Sequence, residues 1–164
     1  MLDIRIKREA KKFVSRILEK NLKISIAESC TGGLFSSYVT YFPGVSKVFI
    51  ESIVSYSNDS KIKRLGVPDE IIKKHGAVSE PVARLMAEKV KGDSDIGIGI
   101  TGIAGPGGGT EDKPVGLVYF AVSIYDNTYV KRLNLKGNRD RIRKKTCLEV
   151  FMFLSKALKN VLTF

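Results

Sequence analysis

The stretch from Val115 to Leu135, VGLVYFAVSIYDNTYVKRLNL, decides what kind of sheet this chain builds. Its two halves, residues 115–124 and 128–135, are rich in β-branched and aromatic side chains, and Asp126-Asn127 between them is turn chemistry, so the stretch predicts a β-hairpin. A hairpin pairs its strands antiparallel. Upstream the pattern is different. Residues 22–27 alternate as a strand, residues 29–41 read as a helix whose first turn holds Thr31, Gly32 and Gly33, and a Pro43-Gly44 turn leads to a second strand over residues 48–56. Short helices follow over 59–65 and 69–75. A longer one runs over 79–91 with Ser79 as N-cap, and a third strand covers 94–101. An amphipathic helix opens the chain over residues 4–18, and a last helix covers 139–161. Helices separate the early strands and the hairpin breaks that alternation. The prediction is an α/β fold of three α/β/α layers, with a mixed, mostly parallel sheet containing a late antiparallel hairpin, in a single domain over residues 1–164.

The chain has 164 residues, 43% of them hydrophobic and 27% charged, a balance that argues against disordered and fibrous classes. No segment approaches the roughly 20 apolar residues of a membrane span, and the first residues lack the apolar core of a signal peptide. A cytoplasmic protein with no membrane partner is expected. The two cysteines, Cys30 and Cys147, have neither a disulfide framework nor CxxC metal spacing. A net charge of +11 favours anionic partners, whether nucleic acid, anionic lipid or a phosphorylated small molecule.

A single histidine, His75, limits the catalytic menu, because a Ser-His-Asp triad or a multi-histidine metal site must draw on it. Its place beside Gly76 suits a helix end, where it would meet the last carbonyls. Ser29-Cys30-Thr31-Gly32-Gly33 lies where a strand feeds a helix. Free amides and the positive helix end there face a hydroxyl that is either a nucleophile or an N-cap. Cys30 is a second candidate, since a helix N-terminus lowers a thiol pKa. Tyr56-Ser57-Asn58-Asp59-Ser60-Lys61 offers a tyrosine and a lysine, and Lys61 serves as a base only if desolvation or nearby positive charge lowers its pKa; otherwise it is a surface residue. Gly97-Ile98-Gly99-Ile100-Thr101-Gly102 matches GxGxxG, but its first half reads as the strand itself and no helix follows, so a dinucleotide fingerprint is rejected. The glycine-rich loop after Thr101 is either an anion-binding nest or a flexible connection. Lys136, Arg139, Arg141, Arg143, Lys144 and Lys145 crowd the start of the last helix and oppose its dipole, which a phosphate or a nucleic-acid backbone would offset.

Together these segments resemble the CinA C-terminal domain family, the nicotinamide mononucleotide amidohydrolases. The blocks that carry the resemblance are Ala27 to Gly33, Tyr56 to Lys61, His75 to Glu80, Thr101 to Pro106 with Lys113-Pro114-Val115-Gly116, and Gly137-Asn138-Arg139-Asp140 to Arg143, in family order over most of the chain. The resemblance implies hydrolysis of the carboxamide of nicotinamide mononucleotide to nicotinic acid mononucleotide and ammonia. Ser29 would be the nucleophile, Lys61 its base, and Tyr56 would relay or orient the proton. It implies a substrate pocket of Cys30, Thr31, Gly32, Gly33, Thr101, Gly102, Ala104 and Gly105, with Arg139 and Arg143 on the phosphate, no metal or organic cofactor, and a homo-oligomer. The chain departs from the longer family members in lacking their large N-terminal domain, which points to a stand-alone amidase, and Arg141 makes its basic motif richer. Two other readings stand beside this one: a non-enzymatic nucleic-acid-binding or competence-associated module, suggested by the charge, and an amidase using Cys30.

Overall fold

The structure, a computed structural model, describes residues 1–161 and the side chains of residues up to 159. In chain order the elements are α1 (Leu2–Glu19), β1 (Ile24–Glu28), α2 (Leu34–Thr40), β2 (Phe49–Val54), α3 (Asn58–Leu65), α4 (Asp69–His75), α5 (Glu80–Lys91), β3 (Ile96–Gly102), β4 (Leu117–Ile124), β5 (Asn127–Asn134) and α6 (Arg139–Val161). The sheet order is β2-β1-β3-β4-β5. β1 is parallel to both its neighbours, while β4 is antiparallel to β3 and to β5. Only β4 therefore runs against the common direction, and the sheet is mixed and mostly parallel, as the sequence predicts.

Strand side chains alternate between faces, and here the two faces differ in size. Ile24, Ile26, Ile98, Ile100, Val118, Phe120 and Val122 fall on the face covered by α1, α2 and α6, where Phe13, Ile17, Phe35 and Phe151 meet them in the main core. Phe35 and Phe151 stack with ring centroids 4.2 Å apart. Each such fully buried side chain contributes roughly 1.5–3 kcal/mol by leaving water. The other face carries Ser25, Ala27, Gly97, Gly99 and Ala121, which lets α5 lie very close. A Cβ on Gly97 would sit 2.1 Å from the Ala87 carbonyl oxygen, and one on Gly99 2.5 Å from that of Ala83. These glycines serve helix–sheet packing and no phosphate, in agreement with rejection of the dinucleotide fingerprint. Ala83 and Ala87 meet Ala121, while Val82, Met86 and Val90 reach Leu65, Val67 and Ile72 of the α3–α4 region.

Two local expectations are corrected. The hairpin loop is Tyr125-Asp126, with Asn127 already paired to Ile124. Tyr125 takes φ 49°, a left-handed conformation that turn propensity does not favour for tyrosine. Its backbone is held from outside the hairpin: its N–H donates to the Asp95 carbonyl at 3.0 Å and its carbonyl accepts from Lys91 Nζ at 2.7 Å. The second correction is that α2 begins at Leu34 and not at Ser29, because Gly32 (φ 57°) and Gly33 (φ 87°) are both left-handed and form a turn that cannot continue as a right-handed helix.

The strand order places a switch point beside β1. The chain leaves β1 through α2 to reach β2 on one side, then returns through α3, α4 and α5 to β3 on the other. Crossovers that diverge in this way open a crevice at the carboxyl ends of the strands, where ligands of open α/β sheets bind. Ser29 follows β1 there, and Thr101-Gly102 ends β3. No described helix is long and apolar enough to cross a membrane.

Candidate active site

Ser29 is held at the crevice by its own backbone, whose N–H donates to the Ile100 carbonyl at 3.0 Å. Its partner comes from α3, a short helix with a defined start and stop. The Ser57 hydroxyl accepts from the Ser60 N–H at 3.0 Å, and Gly66 ends the helix in a left-handed conformation (φ 68°). Helical spacing puts Lys61 on the face of Leu65, which packs into the core, so Lys61 is only 1% exposed. Its Nζ donates to Ser29 Oγ at 3.0 Å, to the Ser55 carbonyl at 2.8 Å and to the Tyr56 carbonyl at 3.3 Å. Burial lowers the Lys61 pKa to about 8. None of these partners is a carboxylate. A buried amine without a countercharge is expensive to keep, and its contact with a hydroxyl gives the serine a base in hydrogen-bond reach.

Cys30 sits in the same turn in a different state. It is buried, and its thiol is pushed up to about 12, first by burial and then by the charge of Glu28. A Cβ on Gly102 would lie 3.0 Å from Cys30 Sγ, so the cysteine fills space between β1 and β3. The expectation that a helix N-terminus would activate this thiol is overturned, because the turn separates it from α2 and Glu28 occupies that helix end.

Glu28, the last residue of β1, is 0% exposed. One carboxylate oxygen accepts from the N–H groups of Gly33 and Phe35 at 3.0 and 3.2 Å, and the other from the N–H of Ser36 at 2.9 Å and from its hydroxyl at 2.5 Å. The positive end of α2 is thus filled by the protein itself. The amides of Cys30 and Thr31 donate to no oxygen among the described residues, and they follow Ser29 directly.

The rim is braced by two arginines of α6. Arg143 donates through Nη2 and Nε to the Thr31 carbonyl at 2.7 and 3.3 Å, fixing the Ser29–Gly33 turn from outside. Arg139 donates to the Gly105 carbonyl at 2.7 Å and to the Tyr56 hydroxyl at 2.6 Å, which ties the glycine loop to the end of β2. The Tyr56 side chain is 56% exposed, so it reaches Lys61 through its main-chain carbonyl while its hydroxyl turns to Arg139. A second tie closes the glycine loop from the other side. Lys113 Nζ donates to the carbonyls of His75, the last residue of α4, and of Val78, and the Thr101 hydroxyl donates to the Ala77 carbonyl at 2.8 Å. Ala104 and Gly105 are buried between these ties. The other basic residues of α6 are already engaged in part. Lys144 pairs with Asp140 at 3.1 Å and Asp3 at 3.3 Å, and Lys145 donates to the Lys136 carbonyl at 2.8 Å.

The structure therefore brings Ser29, Cys30, Thr31, Gly32, Gly33, Lys61, Thr101, Gly102, Gly105, Tyr56, Arg139 and Arg143 together at the carboxyl ends of β1 and β3. Sequence reasoning gave no role to Glu28 or Lys113, although both stand in the blocks that carry the family resemblance, and it missed Ser36 and the Ser55 carbonyl.

A family model described as the CinA C-terminal domain matches residues 6–158. A CinA-like protein of Fusobacterium nucleatum is 54% identical over 142 residues, covering 87% of this chain and 35% of that protein. The chain spans about a third of the length of the curated relatives it matches. Among solved structures, a competence/damage inducible protein of Agrobacterium tumefaciens is 36% identical with a TM-score of 0.87, covering 92% of this chain and 95% of that one. The competence damage-inducible protein A of Klebsiella pneumoniae gives a TM-score of 0.91 at 26% identity, over 94% and 97% of the two chains.

Proposed function

This chain belongs to the CinA C-terminal domain family, and from that premise we propose that it hydrolyses the carboxamide of nicotinamide mononucleotide, with Ser29 as nucleophile and Lys61 as base. The observation that carries the reading is the 3.0 Å contact between the buried amine of Lys61 and Ser29 Oγ. In its neutral form Lys61 takes the hydroxyl proton as Ser29 Oγ bonds to the carboxamide carbon. The resulting oxyanion is received by the free amides of Cys30 and Thr31, the first being the residue after the nucleophile, as in other serine hydrolases. Collapse breaks the carbon–nitrogen bond, Lys61 returns the proton to the leaving nitrogen, and ammonia departs. Water, deprotonated by Lys61, then hydrolyses the ester to nicotinic acid mononucleotide and frees Ser29. Arg139 and Arg143 each keep guanidinium N–H groups beyond those spent on the protein, and these would meet the substrate phosphate.

The test is ammonia release from nicotinamide mononucleotide in metal-free buffer by wild type, Ser29→Ala and Lys61→Ala. Turnover by wild type, lost in both variants, is expected. A folded wild type that releases no ammonia overturns the assignment.

A second reading, nucleic-acid binding, is favoured by a separate feature. Arg5, Arg8, Lys12 and Arg16 form one stripe along α1 and, with Lys156 of α6, line a groove of about 520 Å³ in which Glu9 already pairs with Arg8 at 3.2 Å and with Lys12 at 2.9 Å. It predicts DNA affinity that falls steeply between 50 and 200 mM salt, as expected for roughly 4–6 phosphate contacts, and that survives Ser29→Ala.

A further inference from the structure

The first amides of any α-helix lack carbonyl partners inside the helix. In most crevice sites of this kind they face the ligand. Here they face inward, onto Glu28. Its two oxygens take four hydrogen bonds, from Gly33, Phe35 and both polar groups of Ser36. The Ser52 hydroxyl, 2.7 Å from that of Ser36, extends this network to β2. Every group touching the carboxylate is a donor, and no cation pairs with it among the described residues.

The geometry has a direct consequence for Ser29. The residue before the nucleophile is bonded to residues five, seven and eight positions further along, so the chain between is closed into a loop with both ends tied. Two left-handed glycines make that closure possible, and Arg143 holds the same loop through the Thr31 carbonyl. Ser29 Oγ and the free amides of Cys30 and Thr31 all lie within it.

We propose that Glu28 is the positioning residue of the nucleophile turn: by occupying the N-terminus of α2 it fixes Ser29 against Lys61 and leaves the Cys30 and Thr31 amides, in place of the helix end, to receive the oxyanion. This rests on the reading of Ser29 as nucleophile. Glu28 touches no substrate in this role. An isosteric amide would put an NH2 group against backbone N–H donors, which leaves at least one of them unpaired in a buried site and releases the turn. Displacement of a reacting group by about 1 Å costs on the order of 100-fold in rate.

The experiment reads Ser29 itself and does not depend on knowing the substrate. A fluorophosphonate phosphonylates an activated serine: the Ser29 Oγ–P bond forms, the P–F bond breaks, fluoride leaves, and the serine proton passes to Lys61. Labelling rates at Ser29 are followed by peptide mass spectrometry for wild type, Glu28→Gln, Ser36→Ala and Ile17→Val, with the melting temperature of each. Ile17 is buried in α1, which supplies no group to the turn, so its variant is a destabilised control. The proposal expects labelling slowed at least about tenfold in Glu28→Gln, slowed a few-fold in Ser36→Ala, and held near the wild-type rate in folded Ile17→Val. In nicotinamide mononucleotide turnover, kcat falls in Glu28→Gln with KM little changed. Folded Glu28→Gln labelling at the wild-type rate overturns the proposal while leaving the nucleophile assignment intact. If Glu28→Gln does not fold, Ser36→Ala decides in the same way. Wild type that is not labelled at Ser29 removes the nucleophile reading, and this proposal with it.

Discussion

Lys61 Nζ lies 3.0 Å from Ser29 Oγ, and the amine that makes this contact is 1% exposed with main-chain carbonyls as its other partners. The pair depends on three separate pieces of chain: the end of β1, the turn after β2 and the buried face of α3. Its chemistry follows from burial, which disfavours the charged amine and makes a neutral base accessible near physiological pH.

The pH profile is set by that amine. Lys61 acts as base only when neutral, and burial lowers its pKa to about 8. Turnover of nicotinamide mononucleotide should therefore rise with pH and level off above about 8. A profile flat from pH 6 to 10 would show that no group of this pKa gates the reaction.

The buried amine that would serve activity costs stability. The folded state holds Lys61 at about 8 against the 10.5 of an ordinary lysine, so the unfolded chain binds more protons between those values and stability rises with pH across that window. Lys61→Met removes the buried amine and keeps the shape. At pH 7 it should raise stability by on the order of 2–3 kcal/mol while abolishing turnover. Calorimetric melting at pH 7 checks this, and a variant less stable than wild type would contradict it.

Cys30 should prove inert. Its thiol is buried and pushed up to about 12, so iodoacetamide at pH 7.5 is expected to leave activity intact, and Cys30→Ala to retain turnover within about tenfold, the loss coming from packing near Gly102. Rapid inactivation by the alkylating agent would return the cysteine mechanism to consideration.

Gly99 and Gly107 stand in opposite surroundings. Gly99→Ala drives a Cβ to 2.5 Å from the Ala83 carbonyl and should lower stability by about 1–3 kcal/mol or more. Gly107→Ala, where a Cβ meets nothing within 4 Å, should be neutral in stability. Thermal melts of the two proteins, side by side, separate packing glycines from loop glycines.

Arg143→Ala should impair the turn and the phosphate contact together. Loss of the two hydrogen bonds to the Thr31 carbonyl is expected to lower kcat, and loss of the cation to raise KM, for a combined fall of about 100-fold or more in kcat/KM. A change in KM alone would mean that Arg143 only binds substrate.

Much of this was legible in the residues. The 115–135 hairpin, the early alternation of strand and helix, and the helical spacing of residues 4–18 and 139–161 are local periodicities, and local periodicity is what a sequence displays directly. The boundaries moved where contacts outside the local pattern decide. Tyr125 occupies a conformation its own propensity disfavours because Asp95 and Lys91 hold its backbone, and α2 starts late because Gly32 and Gly33 are left-handed and Glu28, at the end of the preceding strand, accepts from the first amides beyond them.

The sequence alone determined the architecture, the family blocks and the residue types available at the crevice, since these depend on pattern and composition. Tertiary structure decided where those residues stand. It buried Lys61 beside Ser29, so this is not a surface lysine. It sealed Cys30 beside Gly102, aimed Glu28 into the helix end, and turned Arg139 and Arg143 onto carbonyls of the site's own loops. Those outcomes depend on desolvation and on partners distant in the chain, and neither is encoded in spacing.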